Sequence, residues 1–205
     1  MLQTLSRVEV VERMTAKEFF RCAPEDQKAE LIDGVMIMPS PPTYAHERLQ
    51  IFLLRLIGEF VERNELGEVL GSRTAVELEK NQAPEPDLLF VAKERAEIIR
   101  KEGVFGAPDL VIEILSVSTA GYDRGGKFRA YERAGVRELW LIDPYGPAGT
   151  EFFQRDGDLL KPIMPDARGV IVSNVLPNFQ LQTVWLWPQE KFIAVREALG
   201  AMRET

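Results

Sequence analysis

Ala107-Pro-Asp-Leu-Val-Ile-Glu-Ile-Leu-Ser116 holds, after Asp109, an apolar run interrupted by one carboxylate, Glu113. A strand that lacks polar alternation is one covered on both faces. Leaving an ionised carboxylate in such an interior costs several kcal/mol unless it is paired or bound to metal. Glu113 therefore needs a partner, unless the strand lies at an edge or turns its glutamate to solvent. Upstream, Pro86-Asp-Leu-Leu-Phe-Val91 is a second continuous apolar strand, headed by Asp87. Pro-Asp before a strand is ordinary turn chemistry on its own. Two neighbouring strands carrying Asp87 and Glu113, however, can bring both carboxylates to one divalent cation in a cleft at the sheet edge, leaving coordination positions for water and phosphate oxygens. Downstream, Asp123-Arg-Gly-Gly-Lys127 places Lys127 four residues after Asp123, on one helical face. A lysine beside a metal-bound water can orient the nucleophile or neutralise developing charge.

Working outward, Thr15-Ala-Lys-Glu18 has the spacing of a capping box and predicts a short helix to about Cys22. Glu30 to Met38 sets Asp33-Gly34 between two apolar runs, the strongest short-range hairpin signal. Tyr44 to Asn64 carries apolar residues at 49, 53, 56, 57, 60 and 61, the spacing of one buried helical face. Short strands are predicted over Glu68 to Leu70 and Ala75 to Leu78, a helix over Lys93 to Glu102, and a loop from Gly103 to Pro108. A basic helix is predicted over Asp123 to Ala134, ended by Gly135, and a strand over Arg137 to Ile142. Thr150 to Trp187 reads as shorter strands joined by turns, and a last helix falls near Lys191 to Leu199. No internal repeat and no separating linker is visible, so residues 1–205 are expected to form a single domain, with its core at about 14–188.

Composition narrows the chemistry. The 205 residues carry 25 basic and 32 acidic side chains, net −7. That balance argues against a protein living by nonspecific phosphate contacts, but not against an active site built from carboxylates. One histidine and one cysteine cannot supply a four-ligand zinc site. Any metal must be held mainly by carboxylate oxygens, which suit Mg²⁺, Mn²⁺ or Ca²⁺. No segment approaches 18 consecutive apolar residues and Met1 to Arg13 is charged throughout, so a cytoplasmic protein with no membrane contact is expected.

These residues resemble the PD-(D/E)xK nuclease superfamily, the restriction-endonuclease-like fold, and within it the bacterial Uma-type branch. The resemblance spans roughly Met14 to Pro188. It rests on Glu30-Leu-Ile-Asp-Gly34, Pro86 to Val91, Ala107 to Ser116, Asp123 to Lys127, and Gly135-Val-Arg-Glu-Leu-Trp-Leu-Ile-Asp-Pro144. It implies an α/β (mixed α+β) fold, a central mixed sheet flanked by helices with additional β-hairpins. It also implies a Mg²⁺-dependent endonuclease acting on DNA, with Asp87 and Glu113 on the metal. One position departs from the pattern: Leu115 stands two residues after Glu113, where the motif has lysine. Lys127 is the candidate replacement, if its helix projects the amine back over the sheet.

Further candidates come with ordinary structural alternatives. The resemblance suggests Glu30 as a third metal-binding acid; it reads equally as an exposed strand-end carboxylate. His46, in the first turn of the long helix, can contact phosphate or carry a proton, or simply face solvent. Ser116, Ser118 and Thr119 leave the Glu113 strand, where hydroxyls can hold a phosphate or cap the next helix. Asp109 begins that strand too far away to join a metal shell. Trp140, Trp185 and Trp187 read as core or interface residues. A homodimer is expected, because one active site cutting two strands is most simply paired with a second, and Val184-Trp-Leu-Trp187 together with the extra hairpins after Asp143 is expected to supply its interface. The competing function is a noncatalytic nucleic-acid or protein-binding module on the same fold.

Overall fold

The computed structural model describes residues 13–24, 26–116 and 119–202. Thr15 and Glu18 form the expected reciprocal capping box at the start of α1 (Ala16–Cys22). β1 (Glu30–Ile32) and β2 (Val35–Ile37) pair antiparallel across Asp33-Gly34. Both turn residues have positive φ, 50° and 77°, the conformation that makes Asp-Gly the preferred hairpin turn. α2 (Tyr44–Arg63) follows, N-capped by Thr43 and burying Leu49, Leu53, Leu56, Ile57, Phe60 and Val61, the stripe its spacing predicts.

β3 (Gly67–Gly71), β4 (Val76–Glu77) and β5 (Leu88–Ala92) come next. The helix predicted over Lys93 to Glu102 does not form. Lys93–Ile98 makes only 3₁₀ turns, and β6 (Ile99–Arg100) then pairs with β7 (Gly103–Phe105) inside the predicted loop. Tertiary packing overrides helix propensity here: β7 bridges β4 and β6 in a small sheet, and Val104 is buried with Val76, Leu89 and Val91.

β8 (Leu110–Ile114) is followed by α3 (Ala120–Tyr122), a π-helical turn at Asp123–Lys127, and α4 (Phe128–Ala134), which Gly135 ends at φ 95°. The predicted basic helix thus starts earlier than expected and is wound more loosely across Asp-Arg-Gly-Gly-Lys. β9 (Glu138–Ile142), β10 (Glu151–Asp156), β11 (Leu159–Ile163), β12 (Val170–Val172), β13 (Gln180–Gln182) and α5 (Val195–Ala201) complete the order.

The main sheet runs β11-β10-β9-β8-β5-β3. Its neighbours are antiparallel except β8 and β9, which are parallel. A parallel pair requires a crossover. α3 to α4 supplies it and so carries Lys127 back across the face of β8. One face of the sheet packs on α2 and α5 through residues such as Leu88, Phe90, Ile112 and Trp140. The other packs on α4 through Val111, Leu139, Leu141 and Tyr131.

This architecture is the mixed, helix-flanked sheet with extra hairpins expected from the sequence, with two corrections. β5 and β8 are interior strands, so the cleft opens at the ends of central strands and not at a sheet edge. Trp185 and Leu186 are buried in the chain's own core while Val184 is exposed, so Val184 to Trp187 offers only part of the apolar surface that the homodimer expectation assigned to it. No described helix is long and apolar enough to cross a membrane.

Candidate active site

Strand register sets the arrangement. Leu88 lies opposite Ile112 and Leu89 opposite Val111, and Asp87 stands just before this paired stretch, where its Oδ2 reaches the Ile114 N–H. Glu113 shares its face of β8 with Val111 and Leu115, the face covered by α4, because those two pack with Tyr131. Alternation along β8 thus turns its one carboxylate toward the crossover helix. Asp123, Lys127 and Tyr131 meet it there.

Four acids and one ammonium form the buried centre. Lys127 Nζ stands 2.7 Å from Glu30 Oε1, 3.1 Å from Glu113 Oε1 and 3.2 Å from Asp123 Oδ1. The Tyr131 hydroxyl donates to the same Glu113 oxygen at 2.5 Å. Asp123 Oδ1 is within ion-pair reach of the ammonium yet accepts no hydrogen bond. Asp87 is held separately: Oδ2 accepts from the Ile114 N–H at 2.8 Å and lies 3.2 Å from His46 Nε2, while Oδ1 accepts from Lys28 Nζ at 3.0 Å. Gln50 donates to the Asp87 carbonyl at 2.9 Å, tying α2 to the head of β5.

Gly126 lets this centre close. A Cβ there would sit 3.1 Å from Ile32 Cγ2, a contact tight enough that the side chain of Ile32 would have to give, so glycine eases the close approach of the π turn to β1, the strand that delivers Glu30. A π turn within a helix is a frequent feature of functional sites.

Electrostatics pushes the two strand carboxylates in opposite directions. Burial raises the Glu113 pKa to about 8; Lys127 opposes this, and the charges of Asp123, Asp87 and Glu30 add to it. Burial would raise Asp87 too, but the His46 hydrogen bond and the positive charge of Lys28 outweigh it and hold Asp87 well below the usual carboxylate range. Asp123 is raised by burial, against Lys127. Burial alone would lower Lys127, yet Glu113, Glu30 and Asp123 lift it well above an ordinary lysine. It stays an ammonium. Beside the cluster, burial raises Glu85 to about 7; its backbone N–H donates to Glu30 Oε1.

A cleft of about 670 Å³ leads to this centre, lined by Asp87, Glu113, Glu30, Asp123 and Lys127 with Lys28, Arg73, His46, the Pro39 to Thr43 loop and Tyr145. The structure therefore brings Asp87, Glu113, Glu30 and Lys127 together. His46 corrects the alternative of a solvated helix start: it is buried against Asp87. Glu30 is likewise buried and not an exposed strand end. Lys127 is paired with Asp123 inside the protein. Ser116 lines the cleft and at the same time accepts the Thr119 N–H at 3.2 Å, a helix-start contact. Ser118 lies outside the described residues. Asp109 sits at the far end of β8, where it binds Arg95 at 2.9 Å and Arg137 at 3.2 Å.

Sequence reasoning missed Lys28, Tyr131 and Glu85, and it gave Asp123 no place among the acids. Tyr131 was within reach, since Asp123, Lys127 and Tyr131 repeat at four-residue intervals on one helical face. Lys28 carries no such signal; it reaches Asp87 across 59 residues.

A central mixed sheet with acids at adjoining strand ends and a lysine delivered by the crossover helix defines a protein of the restriction-endonuclease-like class. The chain belongs to the Uma2 family, described as "Putative restriction endonuclease", whose pattern matches residues 16–184. It is similar to the uncharacterized protein sll1609 of Synechocystis, 26% identical over 147 residues, 71% of this chain and 82% of that one. Its fold matches the crystal structure of a "putative nuclease belonging to DUF820" from Anabaena variabilis at a TM-score of 0.63 and 18% identity, covering 92% of this chain and 99% of the other.

Proposed function

We propose that this protein is a Mg²⁺- or Mn²⁺-dependent endonuclease that hydrolyses phosphodiester bonds of DNA in the cytoplasm. The observation that carries the reading is the convergence of Asp87 and Glu113, from adjoining strands, on one cleft where Lys127 stands in for the lysine missing at Leu115. Membership of the Uma2 family supports it.

The donor set suits a hard cation, since Asp87, Glu113 and Glu30 all line the cleft and offer carboxylate oxygens. Among the described residues no three acids are already spaced to enclose an ion, because Lys127 stands among three of them. Asp87, Glu113 and Glu30 are the residues that would hold the metal. When bound, such an ion lowers the pKa of a coordinated water and stabilises charge on phosphate oxygens. The protein's own part is positional and electrostatic. The Ile114 N–H, His46 and Lys28 keep Asp87 ionised and oriented. Tyr131 fixes the Glu113 carboxylate. The Lys127 ammonium neutralises negative charge developing on the attacked phosphate.

A noncatalytic binding module is the second reading, favoured by one observation: Lys127 already forms ion pairs with Glu30, Glu113 and Asp123 in the protein itself. A cleavage assay on supercoiled, linear and single-stranded DNA with Mg²⁺ or Mn²⁺ separates the two. Wild type is expected to cut in a manner abolished by EDTA and by Glu113→Gln. Retained cutting by Glu113→Gln removes the residue assignment, and no cutting of any DNA leaves the binding module.

A further inference from the structure

The two oxygens of Asp87 are held in different ways. Oδ2 accepts from the Ile114 N–H at 2.8 Å and stands 3.2 Å from His46 Nε2. One of these partners is the backbone of β8 and the other a buried ring on α2, so neither leaves unless a whole element moves. Oδ1 has a single partner, the Lys28 ammonium at 3.0 Å. A cation held by Asp87 therefore comes to the side that Lys28 occupies, and two positive charges at one oxygen repel.

Lys28 can leave where Lys127 cannot. The Lys127 side chain, 3% exposed, is gripped by Glu30, Glu113 and Asp123. Lys28 lies in irregular chain two residues before Glu30. Its side chain is 22% exposed, and among the described residues its one ion pair is with Asp87. A compact ammonium on a flexible four-carbon stem can swing from that carboxylate into the cleft, whose wall it already forms.

The cleft has a use for a released amine. Six acids line it against three bases, Lys28, Arg73 and Lys127, an excess of negative charge that opposes an incoming phosphate. Both lysines, moreover, are engaged by acids. Freeing Lys28 gives the cleft a mobile positive charge at the moment its acids are neutralised.

We infer that Lys28 keeps, in the unloaded protein, the place on Asp87 that a divalent cation takes, and that loading hands its amine over to the phosphate in the cleft, so that cation binding precedes phosphate binding. Lys28 is then a phosphate-binding residue as well as a support for Asp87. The inference rests on the metal-dependent nuclease reading.

The test uses the full chain, with Ca²⁺ binding followed by calorimetry and, at saturating Ca²⁺, binding of a short fluorescein-labelled DNA duplex with a single-stranded tail followed by anisotropy. Lys28→Met is expected to bind Ca²⁺ at least about fivefold more tightly, because a competing charge is gone. It should bind DNA about 10- to 100-fold more weakly, the worth of one hydrogen bond to a charged group, with the salt dependence of binding reduced by about one phosphate contact. These changes have opposite signs, whereas local damage to the site weakens both. Lys28→Arg, which keeps the charge, should return both affinities toward wild type. Ca²⁺ affinity of Lys28→Met equal to or weaker than wild type overturns the inference, and so does unchanged DNA binding; cutting of DNA by wild type in Mg²⁺ then still upholds the nuclease reading. If neither protein binds Ca²⁺, the metal-dependent reading fails and takes the inference with it. Tighter Ca²⁺ binding by Lys28→Met with no DNA bound by either protein overturns the handover to phosphate together with the nuclease reading.

Discussion

Replacing Lys127 with Met leaves Glu30, Glu113 and Asp123 facing one another without the ammonium that stands 2.7 to 3.2 Å from each. Breaking a buried ion pair by removing one partner costs about 3–5 kcal/mol, which in a chain of this size lowers Tm by roughly 10 °C. Lys127→Met is therefore expected to lose stability as well as cleavage. Added Mg²⁺ should restore part of the melting temperature, because a cation that binds only the folded protein replaces the missing charge. Calorimetry with and without Mg²⁺ checks this; an unchanged Tm would mean that the acids simply take up protons. Tyr131→Phe is the milder change. It removes one donor from Glu113 and should cost about 1–3 kcal/mol in urea unfolding.

At the scale of elements, the π turn separates two adjacent glycines by what they touch. A Cβ on Gly125 meets nothing within 4 Å, whereas one on Gly126 meets Ile32. Gly125→Ala should leave activity intact and raise stability by up to about 1 kcal/mol, because glycine is the poorer helix former. Gly126→Ala should push the turn away from β1, separate Lys127 from Glu30, and lower both stability and cleavage. Paired urea titrations of the two variants test the contrast. Equal behaviour would mean that the close approach of the turn to β1 is not what assembles the centre.

For the whole molecule, the buried acids set the dependence of stability on pH. Glu113 and Glu85 rise from 4.5 to about 8 and about 7 on folding, so the folded chain holds protons that the unfolded chain has released. Stability from these groups is full below pH 4.5 and falls as pH rises to 8. Asp87 is shifted the other way, and its contribution is lost as pH falls below 3.8. The urea midpoint should therefore be higher at pH 5 than at pH 8.5, and Glu85→Gln should flatten the part of the slope between 4.5 and 7. A midpoint that climbs steadily toward pH 8.5 would contradict this assignment. The homodimer proposal, deprived of Trp185 and Leu186, depends on the exposed Val184 and on the hairpins after Asp143, where Leu159 and Val172 are exposed. Light scattering distinguishes 23.2 kDa from twice that mass.

Periodicity and turn chemistry made much of this protein legible. The α2 stripe, the Asp33-Gly34 hairpin and the apolar strands around Asp87 and Glu113 need only local spacing to be read, because burial of one face dictates where apolar residues recur. The helix expected at Lys93 to Glu102 failed because Ile98, Ile99 and Val104 are claimed by a distant strand, which no local pattern records. The same limit applied at the site. That Glu113 needed a partner followed from the cost of burying charge, and Lys127 was a candidate by chain length. Tertiary structure alone decided that Lys28 reaches Asp87, that His46 turns inward, and that Glu30 arrives on a separate hairpin. Those contacts join residues that are far apart in the chain, and they exist only once the β8–β9 crossover has folded the helix over the sheet.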